Sequence, residues 1–296
     1  GVNKPYQEEM GLPKGVPFLI GASDGVLSNL GVNAIDPGVI ALTVGTSGAI
    51  RTVYDQPKTD PKGRTFCYAL TDKHWVIGGP VNNGGITLRW LREELARGDM
   101  ILAKQRGVDP YDVLTEQASS VRPGSDGLIF HPFLTGERAP LWNANARGSY
   151  FGLSLHHKKE HMIRAVLEGI TYNLHAVLRI LEGLAGEQGR IQATGGFARS
   201  AFWRQLLADV FNKQVVVPKS YESSCLGAVI LGMLAIGEIS DFKVVANMVG
   251  TTHIHDPVAE RTAIYRDIMP IYHRLTKQFE SEYDTIAAFQ RKYVVE

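Results

Sequence analysis

Four segments of this sequence follow apolar runs, at positions where a buried strand would end. Asp24 follows the apolar run 17–23 and begins a short helical pattern. Gly-Thr-Ser-Gly occupies 45–48 between two apolar runs, and glycine-rich segments at 78–85 and 194–200 each precede a helical pattern. Phosphate groups bind to backbone N–H groups, to hydroxyl groups and to helix N-termini, and glycine leaves these donors accessible because it has no Cβ. Because ligands of α/β sheets bind beyond the carboxyl ends of strands, these segments indicate a nucleotide or phosphate ligand.

Asp24 has two interpretations, and they can coexist. Asp is strongly preferred at the N-cap of a helix, and Asp24 stands where a helix is predicted to begin. An ionised carboxylate can also accept the proton of a hydroxyl group that attacks a phosphoryl group.

Each glycine-rich segment also has a purely structural interpretation. Residues 45–48 are consistent with a hairpin turn, and 78–85 with a loop that needs unusual backbone angles. The segment 78–85 lacks the Lys-Ser/Thr of a Walker P-loop, and 194–200 lacks the Gly-x-Gly-x-x-Gly of dinucleotide-binding domains. The residues alone therefore indicate phosphate binding without naming a reaction.

The elements that would position these segments run from strands at the start to alternating helices and strands. Strands are predicted at 17–23, 65–70, 74–79, 128–134, 190–194 and 215–217, with two more joined by a glycine turn within 39–54. Helices are predicted at 24–30, 86–96, 110–120, 159–184, 200–211, 223–236 and through most of 259–292. This order predicts an α/β domain but does not distinguish one α/β fold from another.

The composition excludes several classes of partner. The 296 residues are 44% apolar and 21% charged, with a net charge of +1, so nothing favours nucleic acid or an anionic membrane. The most apolar stretch, 225–236, is too short to span a bilayer. No signal peptide is visible, and the two cysteines, Cys67 and Cys225, form neither a disulfide framework nor a zinc signature. These features predict a cytoplasmic protein.

A longer motif resembles a signature of the FGGY carbohydrate kinases. The constrained positions of that signature are matched by two segments that seven residues separate. They are Gly-Ser-Tyr-Phe-Gly-Leu at 148–153 and His-Met-Ile-Arg-Ala-Val-Leu-Glu at 161–168. The resemblance extends from about residue 15 to 290. It implies an actin-like ATPase domain of the ribonuclease H-like type, with a mixed sheet flanked by helices. It also implies that 15–296 form the carboxy-terminal nucleotide-binding domain, with 1–14 as a remnant of a linker.

The resemblance implies a role for each glycine-rich segment. Asp24 is similar to the family's catalytic base and would lie close to Mg²⁺. Gly45 and Thr46 resemble the loop that holds the β- and γ-phosphates of ATP. The residues expected to line the nucleotide are Gly84, Gly195, Gly196 and Ser200.

Within the family, 21–31 and 132–142 look most like the corresponding segments of bacterial gluconate kinases. The implied reaction transfers phosphate from ATP to D-gluconate, giving ADP and 6-phosphogluconate, with a xylulose kinase as one alternative. A nucleotide-binding regulator or scaffold without catalysis is another. The family's early Asp-x-Gly-Thr-Thr/Ser phosphate motif and most of its sugar contacts belong to an amino-terminal lobe. No such motif precedes Asp24, so that lobe is an expected partner, and this chain alone is expected to be inactive.

The sequence leaves two further points open. Glu137 and Arg138 lie on a polar loop that either faces the cleft or carries a solvated surface ion pair. The chain could also form a homodimer through apolar surface that the absent lobe would otherwise cover.

Overall fold

The computed structural model describes residues 2–219 and 223–293. Within these residues, seven strands form one mixed sheet in the order β3-β4-β2-β1-β7-β8-β9, and two more form a small antiparallel pair. The strands are β1 (Val39–Val44), β2 (Gly48–Tyr54), β3 (Phe66–Ala69), β4 (Trp75–Val81), β5 (Ile129–His131), β6 (Ser149–Phe151), β7 (Arg190–Thr194), β8 (Gln214–Pro218) and β9 (Thr251–His255). This is the mixed sheet flanked by helices that the family resemblance implies.

Helices cover both faces of the sheet. They are α1 (Lys4–Glu9), α2 (Asp24–Gly31), α3 (Gly85–Trp90), α4 (Arg97–Arg106), α5 (Pro110–Ser119), α6 (Lys159–Ala185), α7 (Ala201–Phe211), α8 (Ser223–Ala235), α9 (Val245–Met248) and α10 (Ala259–Tyr293). A turn of π-helix, Leu91–Leu95, extends α3. No helix in the described ranges is long and apolar enough to cross a membrane.

The two faces of the sheet have separate cores. The larger core packs α6 and α7 on one face, because their apolar residues repeat at helical spacing, and Ile50 and Leu174 belong to it. The smaller core packs α2 and α8 on the other face around Val53 and Leu30. These two helices cross so closely that a Cβ at Gly227 would overlap the carbonyl group of Leu27.

The register of the sheet brings the glycine-rich segments to one edge. At this edge, Thr43 of β1 pairs with Thr194 of the parallel strand β7. Gly48, at the start of β2, pairs with Val81, at the end of β4. The turn after β1 and the loops after β4 and β7 therefore emerge together, as ligand binding at a sheet edge requires.

The sequence prediction is wrong for 17–23. This segment is not a strand in the structure, and Ile20 has 97% of its surface exposed. Its apolar composition matches a buried strand, but it pairs with neither edge strand of the described sheet, β3 or β9. The predicted strand 128–134 is reduced to β5, and the short elements α4, β6 and β9 were not predicted. The helix α1 lies inside the predicted linker 1–14, and the proposed domain division stays a prediction.

Candidate functional site

The turn after β1 and the loop after β4 are in direct backbone contact. Gly85 N donates to Gly45 O at 2.7 Å, and Ile86 N donates to Thr46 O at 3.0 Å. A Cβ at Gly84 would lie 2.7 Å from the carbonyl carbon of Ser47, so only glycine permits this approach. Two of the segments predicted to bind the nucleotide thus form one backbone surface.

In the turn after β1, the backbone N–H groups of Thr46 and Ser47 are free to donate hydrogen bonds to a ligand. The N–H of Gly45 already donates to Ser47 O at 2.9 Å, so it faces inward. Thr46 and Ser47 are exposed, and in the described chain neither donates a backbone hydrogen bond. The predicted phosphate contact of Thr46 is therefore available, whereas a contact through the Gly45 N–H would require this turn to rearrange.

Gly195 and Gly196 begin the third loop, and they differ from each other. Gly195 has φ +102°, and a Cβ on it would overlap the carbonyl group of Val44 at the end of β1. Gly196 is exposed, and a Cβ there would have open space. The hydroxyl groups of Thr43 and Thr194 hydrogen-bond at 3.0 Å and join the two strand ends. Gly195 therefore holds the loop against β1, and Gly196 presents its backbone outward.

We expect Gly195→Ala to lower the free energy of unfolding by about 2–4 kcal/mol, through backbone strain and the contact with Val44. Gly196→Ala is the matched control, because the added methyl group meets no atom there. Urea denaturation of the 296-residue chain measures both variants. Equal stability of the two would contradict this account of the loop.

Asp24 is the first residue of α2, and Ser23 occupies the N-cap position. The interpretation of Asp24 as the N-cap residue is therefore wrong. The carboxylate is exposed, and its Oδ1 accepts from Gly25 N at 2.7 Å. Ser224 Oγ on α8 donates to the backbone oxygen of Asp24 at 3.0 Å, which holds this end of α2 in place. Asp24 thus carries a solvent-accessible carboxylate on a backbone that Ser224 holds in place.

Arg51, which the sequence analysis missed, lies beneath Asp24. Its side chain leaves β2 on the α2 face and is only 6% exposed. Nε donates to Asn29 Oδ1 at 2.9 Å, and Nη2 donates to Thr43 Oγ1 at 3.1 Å. Burial lowers the pKa of Arg51 to about 10, and the negative charge of Asp24 opposes that shift. A charged residue inside the apolar pattern of 49–53 was the signal that could have revealed it.

Glu137 is buried, so the interpretation of Glu137 and Arg138 as a solvated surface ion pair is wrong. The carboxylate of Glu137 accepts hydrogen bonds from the backbone N–H groups of Asn82 and Arg138 and from the side chains of Asn83 and Asn173. Burial raises the pKa of the Glu137 carboxyl, and these hydrogen bonds act in the opposite direction. The guanidinium of Arg138 binds Asn82 Oδ1 at 2.7 Å instead. Glu137 therefore secures the loop that leads to Gly84, and its carboxylate oxygens are occupied by these hydrogen bonds.

We expect Glu137→Gln to lower the free energy of unfolding by about 2–4 kcal/mol. Glutamine offers one acceptor oxygen to four N–H donors, so buried donors would lose their partners. Glu280→Gln on α10 is the control, because that side chain is exposed. Denaturant titration of the 296-residue chain at neutral pH measures the difference, and an unchanged midpoint for Glu137→Gln would contradict the assignment.

Ser200 has a structural role at the end of the loop after β7. Its Oγ accepts from Trp203 N at 3.2 Å, so it is the N-cap of α7. The loop 195–200 thus leads from β7 into the start of α7. Its contact with a nucleotide remains a prediction.

A comparison with known families decides what kind of domain this is. The model of the carboxy-terminal domain of the FGGY family of carbohydrate kinases matches residues 40–236. The chain belongs to the FGGY family of carbohydrate kinases. This match spans the turn after β1, the loop after β4 and the loop after β7.

Individual FGGY kinases resemble the chain over nearly its full length. It is 62% identical over 284 residues to a gluconokinase of Bacillus subtilis, covering 96% of this chain and 55% of that protein. The structure of a gluconate kinase from Lactobacillus acidophilus is 40% identical with a TM-score of 0.87, covering 97% of this chain and 56% of that one. A ligand-bound xylulose kinase from the same organism has the same identity and the same two coverages, with a TM-score of 0.86. The chain spans about half the length of these relatives. The fold is the actin-like ATPase fold of FGGY kinases.

The FGGY signature at 148–168 has a structural function here. Glu168 on α6 is buried and accepts from Arg164 Nε at 2.7 Å, from Ser125 Oγ at 2.8 Å and from Tyr265 OH at 2.8 Å. Tyr265 belongs to α10, so one carboxylate joins three parts of the chain. Glu168 and Arg164 of this signature therefore stabilise the domain.

Proposed function

We propose that this chain is the nucleotide-binding lobe of a kinase that transfers the γ-phosphoryl group of ATP to D-gluconate, giving 6-phosphogluconate. The observation that carries the proposal is the exposed carboxylate of Asp24 beside a sheet edge formed by three glycine-rich segments. The 62% identity to a gluconokinase supports gluconate as the substrate. Xylulose is the alternative, because a xylulose kinase structure is as similar to the chain as a gluconate kinase structure.

In this mechanism Asp24 accepts the proton of the attacking hydroxyl group. The hydroxyl group gains nucleophilicity as the proton moves to a carboxylate oxygen, and phosphoryl transfer follows in line. In the described chain, Asp24 Oδ2 has no hydrogen-bond donor, so it is available for this task. The Thr46 hydroxyl and the free N–H groups of Thr46 and Ser47 would bind the terminal phosphates.

ATP would extend from this turn towards the loop after β7. Gly196 leaves an open backbone surface there, where the adenosine moiety would lie, and Gly84 lies between the two regions against the turn. Asp24 fits Mg²⁺, because a hard, exposed carboxylate oxygen is the ligand that this ion prefers beside substrate phosphates. The ion would neutralise charge on the phosphates. We place the enzyme in the cytoplasm, where ATP is available.

The amino-terminal lobe of the same enzyme is the proposed partner. The segment before Asp24 exposes Phe18 at 67% and Ile20 at 97%, and apolar side chains gain stability when another surface covers them. They precede the proposed base in the sequence, and a second lobe that covered them would close over the sugar. In this proposal, residues 15–296 form one lobe and 1–14 belong to the connection with the other.

A nucleotide-binding regulator without catalysis is the competing function. A regulator has no need of an accessible carboxylate at the start of α2 or of a buried cation beneath it. Asp24 and Arg51 therefore favour catalysis.

Phosphorylation of a panel of sugars by a two-lobed enzyme that contains this chain tests the proposal. We expect D-gluconate to give the highest kcat/KM, and xylulose a value lower by at least about 10-fold. A preference for xylulose would select the alternative substrate. No turnover of any sugar, with ATP still bound, would support the regulator.

A further inference from the structure

Arg51 is an unusual residue for the position that it occupies. It lies in the middle of β2, paired with Ala41 on one side and Gly78 on the other, and its charge is enclosed between the sheet and α2. Burying a cation is costly unless charged partners or hydrogen bonds compensate. In the described chain, Arg51 forms no ion pair within 4.0 Å, and its hydrogen-bond partners, Asn29 and Thr43, are neutral. Stability alone does not explain why a cation stands here.

The hydrogen bonds of Arg51 connect the proposed base to the phosphate turn. Through Nε it holds Asn29 of α2, the helix that begins with Asp24. Through Nη2 it holds Thr43, two residues before Gly45, and Thr43 in turn bonds Thr194 of β7. One side chain thus joins the helix that carries the base to both strand ends that carry the glycine-rich loops.

The remaining nitrogen of Arg51 points towards the start of α2. A Cβ at Gly25 would lie 3.5 Å from Nη1, which places this nitrogen directly behind the first turn of the helix. Asp24 is the acidic residue whose charge acts on Arg51, and within the described ranges Nη1 has no hydrogen-bond acceptor. The guanidinium therefore attracts the carboxylate from beneath while the carboxylate stays open to solvent.

We propose that Arg51 is a positioning residue for phosphoryl transfer: it holds Asn29 of α2 and Thr43 of β1, and together with its attraction for Asp24 this sets the position of the Asp24 carboxylate relative to the turn at 45–48. This inference rests on the proposed kinase function and assigns one more residue to that site. Arg51 does not touch the substrate. It acts through Asp24, because a base displaced by about 1 Å loses up to about 10²-fold in rate.

Steady-state kinetics of the two-lobed enzyme that contains this chain test the inference. We expect Arg51→Met to lower kcat by about 10²-fold and to leave the KM for ATP within about threefold. Arg51→Lys keeps the charge but not the two hydrogen bonds, so its kcat should lie between those of Arg51→Met and the wild type. Added guanidinium ion should restore part of the kcat of Arg51→Ala without changing its melting temperature, whereas a purely structural role of Arg51 would raise both together.

A double-mutant cycle connects the effect to Asp24. In an Asp24→Asn background, Arg51→Met should change the residual kcat by less than about threefold, because the carboxylate that it positions is gone. Arg164→Met is the matched control: Arg164 is also buried, but it binds Glu168 far from the site. That variant should lose thermal stability and keep its kcat per folded molecule.

These experiments distinguish failure of the positioning role of Arg51 from failure of the proposed kinase function. If Asp24→Asn abolishes turnover but Arg51→Met keeps the wild-type kcat, the positioning role is wrong and the kinase function stands. If Asp24→Asn itself turns over normally, the proposed base is wrong. If Arg51→Met fails to fold, the kcat values of Arg51→Lys and Thr43→Val test the positioning role instead. Thr43→Val removes one acceptor and should cost about fivefold in kcat, and unchanged kcat in both variants would overturn the inference.

Discussion

Asp24→Asn, in a two-lobed enzyme that contains this chain, should lower kcat for sugar phosphorylation by about 10²–10⁴-fold. Asparagine has nearly the same shape but cannot take the proton of the attacking hydroxyl group. The fold should persist, because Asn is tolerated at a helix start and the lost attraction to the helix dipole costs only about 0.3–1 kcal/mol. ATP affinity should stay within about threefold, since the glycine-rich segments are unchanged.

Asp36→Asn is the control for this variant. Asp36 is also exposed and lies beyond the other end of α2, away from the glycine-rich edge. It should keep the wild-type kcat. A wild-type kcat in Asp24→Asn would remove the assignment of the base, and an equal loss in both variants would show a general effect of charge.

The isolated 296-residue chain should release no ADP in response to gluconate, whereas a two-lobed enzyme should turn over at about 1–100 per second. Phe18 and Ile20, which precede Asp24 in the sequence, are exposed, as a surface that another lobe covers would be. Without that lobe we expect water to reach the site and the sugar not to be held. A coupled assay for ADP measures both proteins, at equal concentration and saturating ATP.

Circular dichroism supplies the control for the isolated chain, because an unfolded chain would be inactive for a trivial reason. A folded chain without turnover agrees with the proposal. A turnover of about 1 per second or more by the chain alone would mean that one lobe is sufficient, and would contradict the need for a partner.

The sequence predicted the long helices well, and the reason is periodicity. The apolar residues of α6 repeat at helical spacing over 27 residues, and the packing of that face against the sheet confirms the prediction. The start of α5 was also predicted, because Asp109 is an N-cap and Pro110 fits the first turn. Local signals of this kind do not depend on the rest of the chain.

Two segments that depend on distant partners were predicted wrongly. Residues 17–23 have the composition of a buried strand, but a strand needs a neighbour to pair with, and composition does not report one. The strand β9 was not predicted, because its sequence, Thr-Thr-His-Ile-His, lacks the apolar composition of a buried strand. It is a largely exposed edge strand.

The same limit applies to the candidate site. The segments containing Gly45, Gly84 and Gly195 were predicted from their glycines, and the structure brings them to one sheet edge. Arg51 was missed and the burial of Glu137 was not predicted, because Arg51 comes under the charge of Asp24, and Glu137 binds Asn83, only after folding. These pairs are 27 and 54 residues apart in sequence, and no local pattern connects them.

Binding of Mg²⁺-ATP to the 296-residue chain, followed by backbone amide NMR, tests the central claim that this chain carries the nucleotide site. We expect saturable binding with a dissociation constant below about 1 mM, the upper end of typical enzyme KM values. The largest shifts should occur at the amides of Thr46, Ser47, Gly195 and Gly196. Absence of binding at that concentration, or shifts confined to the opposite edge of the sheet, would contradict it.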